Sequence, residues 1–155
     1  MTDNELTRYI NLYRTMLYRI AYNATLNHAD SEDIVQESFL RLYTSHECFD
    51  DERAKAWLIR VTMNLSKNRN KFYSIRNRVE LDDNISGDCI SDDSIELKEA
   101  LRQLPQKYRI VIYLHYFEGY QASEIAKLLG ISTSAVTTRL QRGRDKLKVF
   151  LDEEV

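Results

Sequence analysis

Apolar residues recur every three to four positions along most of this 155-residue chain, in seven stretches separated by breaks. Leu6, Tyr9, Ile10, Tyr13, Leu17, Ile20, Ala21 and Ala24 share one face of a first helix. Ahead of them, Thr2-Asp3-Asn4-Glu5 has the spacing of a capping box. Asn27-His28-Ala29-Asp30 breaks the pattern and supplies a new cap, after which Ile34, Val35, Phe39, Leu42 and Tyr43 point inward from a second helix. Periodicity lapses from Thr44 to Asp51, which predicts a loop. A third helix from about Glu52 to Phe72 turns Trp57, Leu58, Val61 and Leu65 to its core side. Three helices with short connections predict a small bundle over residues 1–77.

The next segment, 78–94 (RVELDDNISGDCISDDS), has few apolar residues, a glycine and many acids, and reads as a linker. Beyond it the pattern predicts helices over Ile95 to Gln103, Pro105 to Phe117, Gln121 to Leu129 and Thr133 to Leu151. Pro105 suits a first helical turn, where no backbone donor is lost. The expected fold is all-α: two small helical domains, 1–77 and 95–155, joined by an acidic tether.

In residues 121–132 an amphipathic helix stops at Gly130, the chain turns within about three residues, and a second helix starts behind Ser132. That is the pattern of a helix-turn-helix, whose second helix enters a DNA major groove. Val136, Leu140, Gly143, Leu147 and Phe150 fall on one side of that helix, to pack against Ile125, Leu128 and Leu129. The other side presents Ser134, Thr137, Thr138, Gln141 and Arg142, whose hydroxyl, amide and guanidinium groups suit base edges. Arg139, Arg144, Lys146 and Lys148 suit phosphates, which give affinity with little sequence information. The bland alternative is a solvated basic face.

The net charge of −2 argues against nucleic acid only as an average. Residues 1–77 carry 11 basic and 10 acidic side chains, residues 78–94 carry 1 and 6, and residues 95–155 carry 10 and 8. Outside the linker, both halves are slightly basic, which permits DNA binding without demanding it. In the first half, Arg60, Asn64, Lys67 and Lys71 are spaced to share one stripe of the third helix. Trp57 opens that helix, with Phe49 and a polar loop just before it. Charge beside rings is what unpaired nucleotides need, but a solvated stripe fits equally, and for Trp57 a core role fits better than a base contact. The acids of Asp30-Ser31-Glu32-Asp33-Ile34-Val35-Gln36-Glu37 either cap a helix through its dipole or face a protein partner.

Catalytic and cofactor chemistry find no footing. His28, His46 and His115 are isolated, Cys48 and Cys89 lack neighbours at metal-ligand spacing, and no glycine loop could cradle a phosphate. The expectation is a non-enzyme with neither cofactor nor metal. With no signal peptide and no apolar run long enough to span a bilayer, it is also a cytoplasmic protein without membrane insertion.

Three stretches together resemble the extracytoplasmic-function (ECF) class of bacterial RNA polymerase sigma factors, of the sigma-70 family. Residues 31–42 (SEDIVQESFLRL) are similar to the helix that binds core polymerase, and residues 56–64 (AWLIRVTMN) to the promoter-melting helix. Residues 104–109 (LPQKYR), 124–126 (EIA) and 139–144 (RLQRGR) are similar to the carboxy-terminal promoter domain. The resemblance implies a subunit that directs promoter recognition and transcription initiation.

By that resemblance, Asp33, Gln36, Glu37, Phe39 and Leu40 dock on the clamp helices of the largest polymerase subunit. The last domain reaches the flap of the second-largest. The loop from about Thr44 to Asp51, with Phe49, Trp57, Arg60, Asn64, Lys67, Asn68 and Lys71, captures the melted −10 element. Ser134, Thr137, Thr138, Arg139, Gln141, Arg142 and Arg144 read the −35 duplex. The linker threads the polymerase cleft, and a flexible tether is compatible with an anti-sigma partner wedged between the domains.

Two positions depart from the family pattern. Ser134-Ala135-Val136-Thr137 replaces a Gly-Thr-Val-basic run, so base preference at Thr137 differs from that of an arginine. Gly143 stands where alanine is usual, at about 1 kcal/mol of helix stability. Two other classes remain open on sequence: a dimeric helix-turn-helix regulator, which needs palindromic half-sites and a dimer seam, and a helical protein-binding adaptor.

Overall fold

A computed structural model of the chain describes residues 1–47, 49–75 and 95–153, with side chains over 1–47, 49–69 and 99–151. The expected linker, 78–94, lies outside the described residues. Every described element is helical, and the chain divides into two units, Met1–Ser86 and Gly87–Val155.

The first unit packs α1 (Asp3–Thr25), α2 (His28–Thr44) and α3 (Asp51–Ile75) against one another. The capping box forms: Thr2 Oγ1 accepts from the Glu5 amide at 3.2 Å, and Glu5 Oε2 accepts from the Thr2 amide at 2.9 Å. Leu26 ends α1 with a left-handed φ of 53°, a conformation that costs a branched residue about 1–2 kcal/mol. Its side chain is buried, and its amide donates to the Tyr22 carbonyl at 2.8 Å. Asn27 then caps α2 by accepting from the Asp30 amide at 2.9 Å. The core joins Leu17, Ile20 and Ala21 of α1 to Ile34, Val35 and Leu42 of α2 and Ala54, Leu58, Ile59 and Met63 of α3.

The inward face of α3 is rotated from the expected one. Leu58 is buried as predicted, but Trp57, Val61 and Leu65 are only half-buried. Their places are taken by Ala54, Ile59, Thr62, Met63 and Ser66. Three hydroxyls explain the shift. Ser38 of α2 meets Thr62 at 3.0 Å, Ser38 also donates to the Ile34 carbonyl, and Ser66 donates to the Thr62 carbonyl. Small side chains whose polar atoms are satisfied let the two helices approach, so residues that read as polar sit inside. Tyr43 also departs from its expected inward position: it is 40% exposed, and its hydroxyl donates to Asp3 at 2.7 Å.

The second unit holds α4 (Ile95–Gln103), α5 (Gln106–Ile112), α6 (Ala122–Leu129) and α7 (Thr133–Glu153). Pro105 stands one residue before α5 rather than in its first turn, and Gln121 likewise precedes α6. The expected single helix over 105–117 is an α-helix only to Ile112, and Tyr113–Phe117 widen into a π-helical turn. Leu101, Leu104, Val111, Leu114, Ile125, Leu128, Val136 and Leu140 fill the core. Arg109 is buried as well, donating to the Leu104 carbonyl at 2.8 Å and so tying the end of α4 to α5.

Candidate nucleic-acid and polymerase interfaces

Gly130 ends α6 at φ 69°, a left-handed cap that needs glycine, and the Ile131 amide reaches back to the Ala126 carbonyl at 3.1 Å. Two residues later Ser132 Oγ accepts from the Ala135 amide at 3.1 Å and starts α7. With Val136 and Leu140 buried between α5 and α6, the opposite side of α7 faces outward. Ser134, Thr137, Thr138, Gln141, Arg142 and Arg144 are all exposed there, and Arg139 is half-buried at the margin. The Thr137 hydroxyl donates to the Thr133 carbonyl at 3.0 Å, which leaves its oxygen as an acceptor and its methyl as an apolar contact.

A tyrosine of α5 and one of the π-helical turn flank that face. Tyr108, on α5, has its ring 5.0 Å from Lys107 Nζ and 5.9 Å from Lys146 Nζ. Burial pushes its hydroxyl up, but the positive charges of Lys107 and Arg142 outweigh burial and hold it below its ordinary value. On the other flank, the Arg144 guanidinium donates to the Tyr116 hydroxyl at 2.7 Å. Neither tyrosine was assigned a role from the sequence, because both meet α7 only through the fold.

Gly143 is buried where α7 crosses α5. A Cβ there would lie 2.6 Å from Ile112 Cδ1 and 3.3 Å from both Ile112 Cγ1 and Tyr108 Cβ. The residue that reads as a helix weakness is thus set at a close approach.

In the first unit, Arg60, Asn64, Lys67 and Asn68 are exposed on α3, away from the core. Lys71 lies on the same helix, with its side chain outside the described residues. Phe49 and Trp57 are half-buried, with ring centroids 5.5 Å apart and planes tilted by 54°. The aromatic pair therefore braces the junction between the 45–50 loop and α3. Asp50 Oδ1 accepts from the Arg53 amide at 2.8 Å, fixing where α3 begins.

Asp51 is tied to α1 by a bidentate pair with Arg8, at 2.8 and 2.9 Å, and by Tyr13, whose hydroxyl donates to its carbonyl at 3.3 Å. The Arg8 hydrogen bonds hold the Asp51 carboxyl below its ordinary value. No local pattern could have announced this pair, since 43 residues separate its members.

On α2, Asp33, Gln36 and Leu40 are exposed, and Glu37 pairs with Arg41 at 2.9 Å. Phe39 is only 6% exposed, so its ring contributes as a wall rather than as a projecting anchor. It lines a groove of about 400 Å³ between α1 and α2, together with Leu6, Ile10, Val35, Gln36, Leu40 and Tyr43. The α1 and Tyr43 contributions escaped the sequence reading, which assigned those residues to the core.

Comparison with known proteins decides what these surfaces belong to. The sigma-70 region 2 family model matches residues 9–72, and the sigma-70 region 4 model matches residues 94–147. The chain is 30% identical to the ECF RNA polymerase sigma factor SigW of Bacillus subtilis (strain 168), over 90% of this chain and 84% of that protein. The chain belongs to the ECF class of sigma-70 family RNA polymerase sigma factors. A second such relative is SigL of Mycobacterium tuberculosis, 30% identical over 91% of this chain and 85% of that one.

Among solved structures, the sigma factor RpoE of Bartonella quintana, in complex with the anti-sigma factor NepR, shares the fold. Its TM-score is 0.77 at 22% identity, over 96% of this chain and 97% of that chain. As an ECF sigma factor, the protein serves promoter recognition and transcription initiation by RNA polymerase, and sigma factors are non-enzymatic subunits. Among the described residues, no helix is long and apolar enough to cross a membrane.

Proposed function

We propose a division of labour among three segments of this sigma factor. Residues 1–77 dock on the clamp helices of core polymerase and capture the melted −10 element. Residues 78–94 are an acidic tether. Residues 95–155 read the −35 duplex and reach the polymerase flap. The observation that carries the reading is the sidedness of α3 and α7. Each buries one face in its own unit and exposes a polar, basic one opposite: Arg60, Asn64, Lys67 and Asn68 on α3, and Thr137, Thr138, Gln141 and Arg142 on α7.

On α7, Ser134, Thr137, Thr138, Gln141 and Arg142 meet base edges, while Arg139 and Arg144 meet phosphates. On α3, Arg60, Lys67 and Lys71 track the backbone of the opened strand, and Asn64 and Asn68 meet the −10 bases. Phe49 and Trp57 form the wall of the pocket that receives an extruded base. The groove between α1 and α2, lined by Gln36, Phe39 and Leu40 among others, suits an amphipathic polymerase helix, and Asp33 and Glu37 on the same helix α2 meet that partner. The chain works in the cytoplasm, where its polymerase is. The NepR complex of the Bartonella protein makes an anti-sigma protein a partner to seek.

Run-off transcription beside a gel shift tests the reading. The free chain should bind promoter duplex weakly, and core polymerase carrying it should start transcripts at new sites. Tight, specific DNA binding by the free chain, with no effect on core polymerase, would overturn it in favour of a stand-alone regulator.

A further inference from the structure

We propose that Tyr116 is a positioning residue for promoter binding: it aims the Arg144 guanidinium at a DNA backbone phosphate and donates its own hydroxyl proton to the same group. This rests on the reading that α7 lies in the duplex groove.

The π-helical turn makes the arrangement. Its widened register shows in the Glu118 amide to the Tyr113 carbonyl at 3.2 Å; Gly119 then turns the chain at φ 77°, and the Tyr120 amide reaches back to the Leu114 carbonyl at 3.0 Å. Tyr116 is left 52% exposed at the edge of the turn. Its ring meets His115 edge-on, with centroids 4.8 Å apart at 80°. His115 Nδ1 lies 2.8 Å from the Tyr120 carbonyl, and because a carbonyl only accepts, that nitrogen carries the proton. The phenol is therefore fixed on its ring side before it receives Arg144 at 2.7 Å.

The chemistry of the partner matters. Arg8, Arg14 and Arg41 of the first unit are paired with carboxylates, which cancel much of their charge. Tyr116 offers a neutral acceptor, which orients a guanidinium and leaves its full positive charge for a ligand. A guanidinium has five N–H donors, and one is used here. Arg144 also follows Thr137 by seven residues, about two helical turns, so it lies close to the same line along α7. It stands at the margin toward the π-helical turn, where a phosphate bordering the groove would pass. A phenolic oxygen that accepts from arginine keeps its own proton to give to that phosphate.

The test uses the full chain on core polymerase, with a promoter duplex selected from a randomised pool by that same complex. Tyr116→Phe keeps the ring against His115 and removes only the hydroxyl. Complex formation should weaken about three- to tenfold, with the slope of log K against log salt unchanged because no charge is lost. Arg144→Ala should weaken it further and reduce the slope by about one. In the Arg144→Ala background Tyr116→Phe should cost clearly less than it does alone, the remainder being the bond that the phenol itself gives to the phosphate.

A Tyr116→Phe loss that persists undiminished in the Arg144→Ala background overturns the proposal, and so does no loss at all. Arg142→Ala separates the two levels of the argument. If it weakens the complex while Arg144→Ala does not, the phosphate role falls and the α7 reading stands. If neither weakens it, the α7 reading itself has failed.

Discussion

Adding a single methyl group at Gly143 tests the α5–α7 contact directly. Alanine favours a helix interior by about 1 kcal/mol over glycine, so on helix propensity alone Gly143→Ala is stabilising. The fold opposes this. The new Cβ would sit 2.6 Å from Ile112 Cδ1, and the Ile112 side chain is itself buried. The 3.3 Å approach to Tyr108 Cβ is harder to relieve, because that atom moves only with the α5 backbone. Overpacking of this kind costs about 1–3 kcal/mol, which leaves a net loss of about 1 kcal/mol. For a unit of this size that lowers the melting temperature by about 4–8 °C.

The assay has an internal control. Trp57 is the one tryptophan of the chain and belongs to the first unit. Its fluorescence transition should not move, while the far-ultraviolet circular dichroism transition of the second unit should fall. Ile112→Val removes the offending Cδ1. Alone it should cost about 0.5–1.5 kcal/mol; in the Gly143→Ala background it should cost nothing or restore stability. If Gly143→Ala raises the stability of the second unit, and Ile112→Val costs the same in both backgrounds, the close approach is not what selects glycine.

Three further outcomes follow from other contacts. Arg142→Ala should cost about 1–3 kcal/mol of −35 recognition if the guanidinium reaches a base, and initiation equal to wild type on a −35-dependent promoter would refute that contact. Leu40→Asp should weaken association with core polymerase about ten- to a hundredfold, the value of one buried leucine. Because Leu40 is exposed, the melting temperature should hold; undiminished competition for core polymerase would remove α2 from the interface. Asp51→Asn should destabilise the first unit at neutral pH. The Arg8 pair lowers the Asp51 value in the folded chain, so its contribution is present above the ordinary 3.8 and is lost as pH falls through the depressed value. Urea midpoints of wild type and variant, followed by Trp57, should converge as pH is lowered below 3.8; a constant gap would exclude the pair as the cause.

Helix positions were legible wherever a cap and an apolar period agreed. Thr2, Asn27, Gly130 and Ser132 all act as their residue types suggest, and the helix-turn-helix was complete in the sequence. The orientation of α3 was less legible. Trp57, Val61 and Leu65 are larger and more apolar than Thr62 and Ser66, yet the hydroxyl residues go inside because Ser38 of another helix satisfies one of them. Hydrophobicity cannot reveal such pairing before the fold brings the partners together. The π-helical turn was hidden for a related reason: Tyr113-Leu114-His115-Tyr116-Phe117 continues an apolar run, and only Gly119 marks the exit. Of the candidate site, the polar residues of α7 and α3 were readable from spacing. The neighbours that orient them, Tyr108, Tyr116 and Arg8, were not.

The hydroxyl contacts inside the first unit bear on mechanical work. Leucine and isoleucine surfaces can slide past each other by a helical turn with little penalty, because greasy contacts have no preferred mate. Ser38 against Thr62, at 3.0 Å, and Thr25 against Ser31, at 3.2 Å, are directional contacts between helices. Slippage would break both, so these pairs favour a single register of the three rods. On the proposed reading, a pull of parting strands on α3 would reach α2 through the Ser38–Thr62 contact.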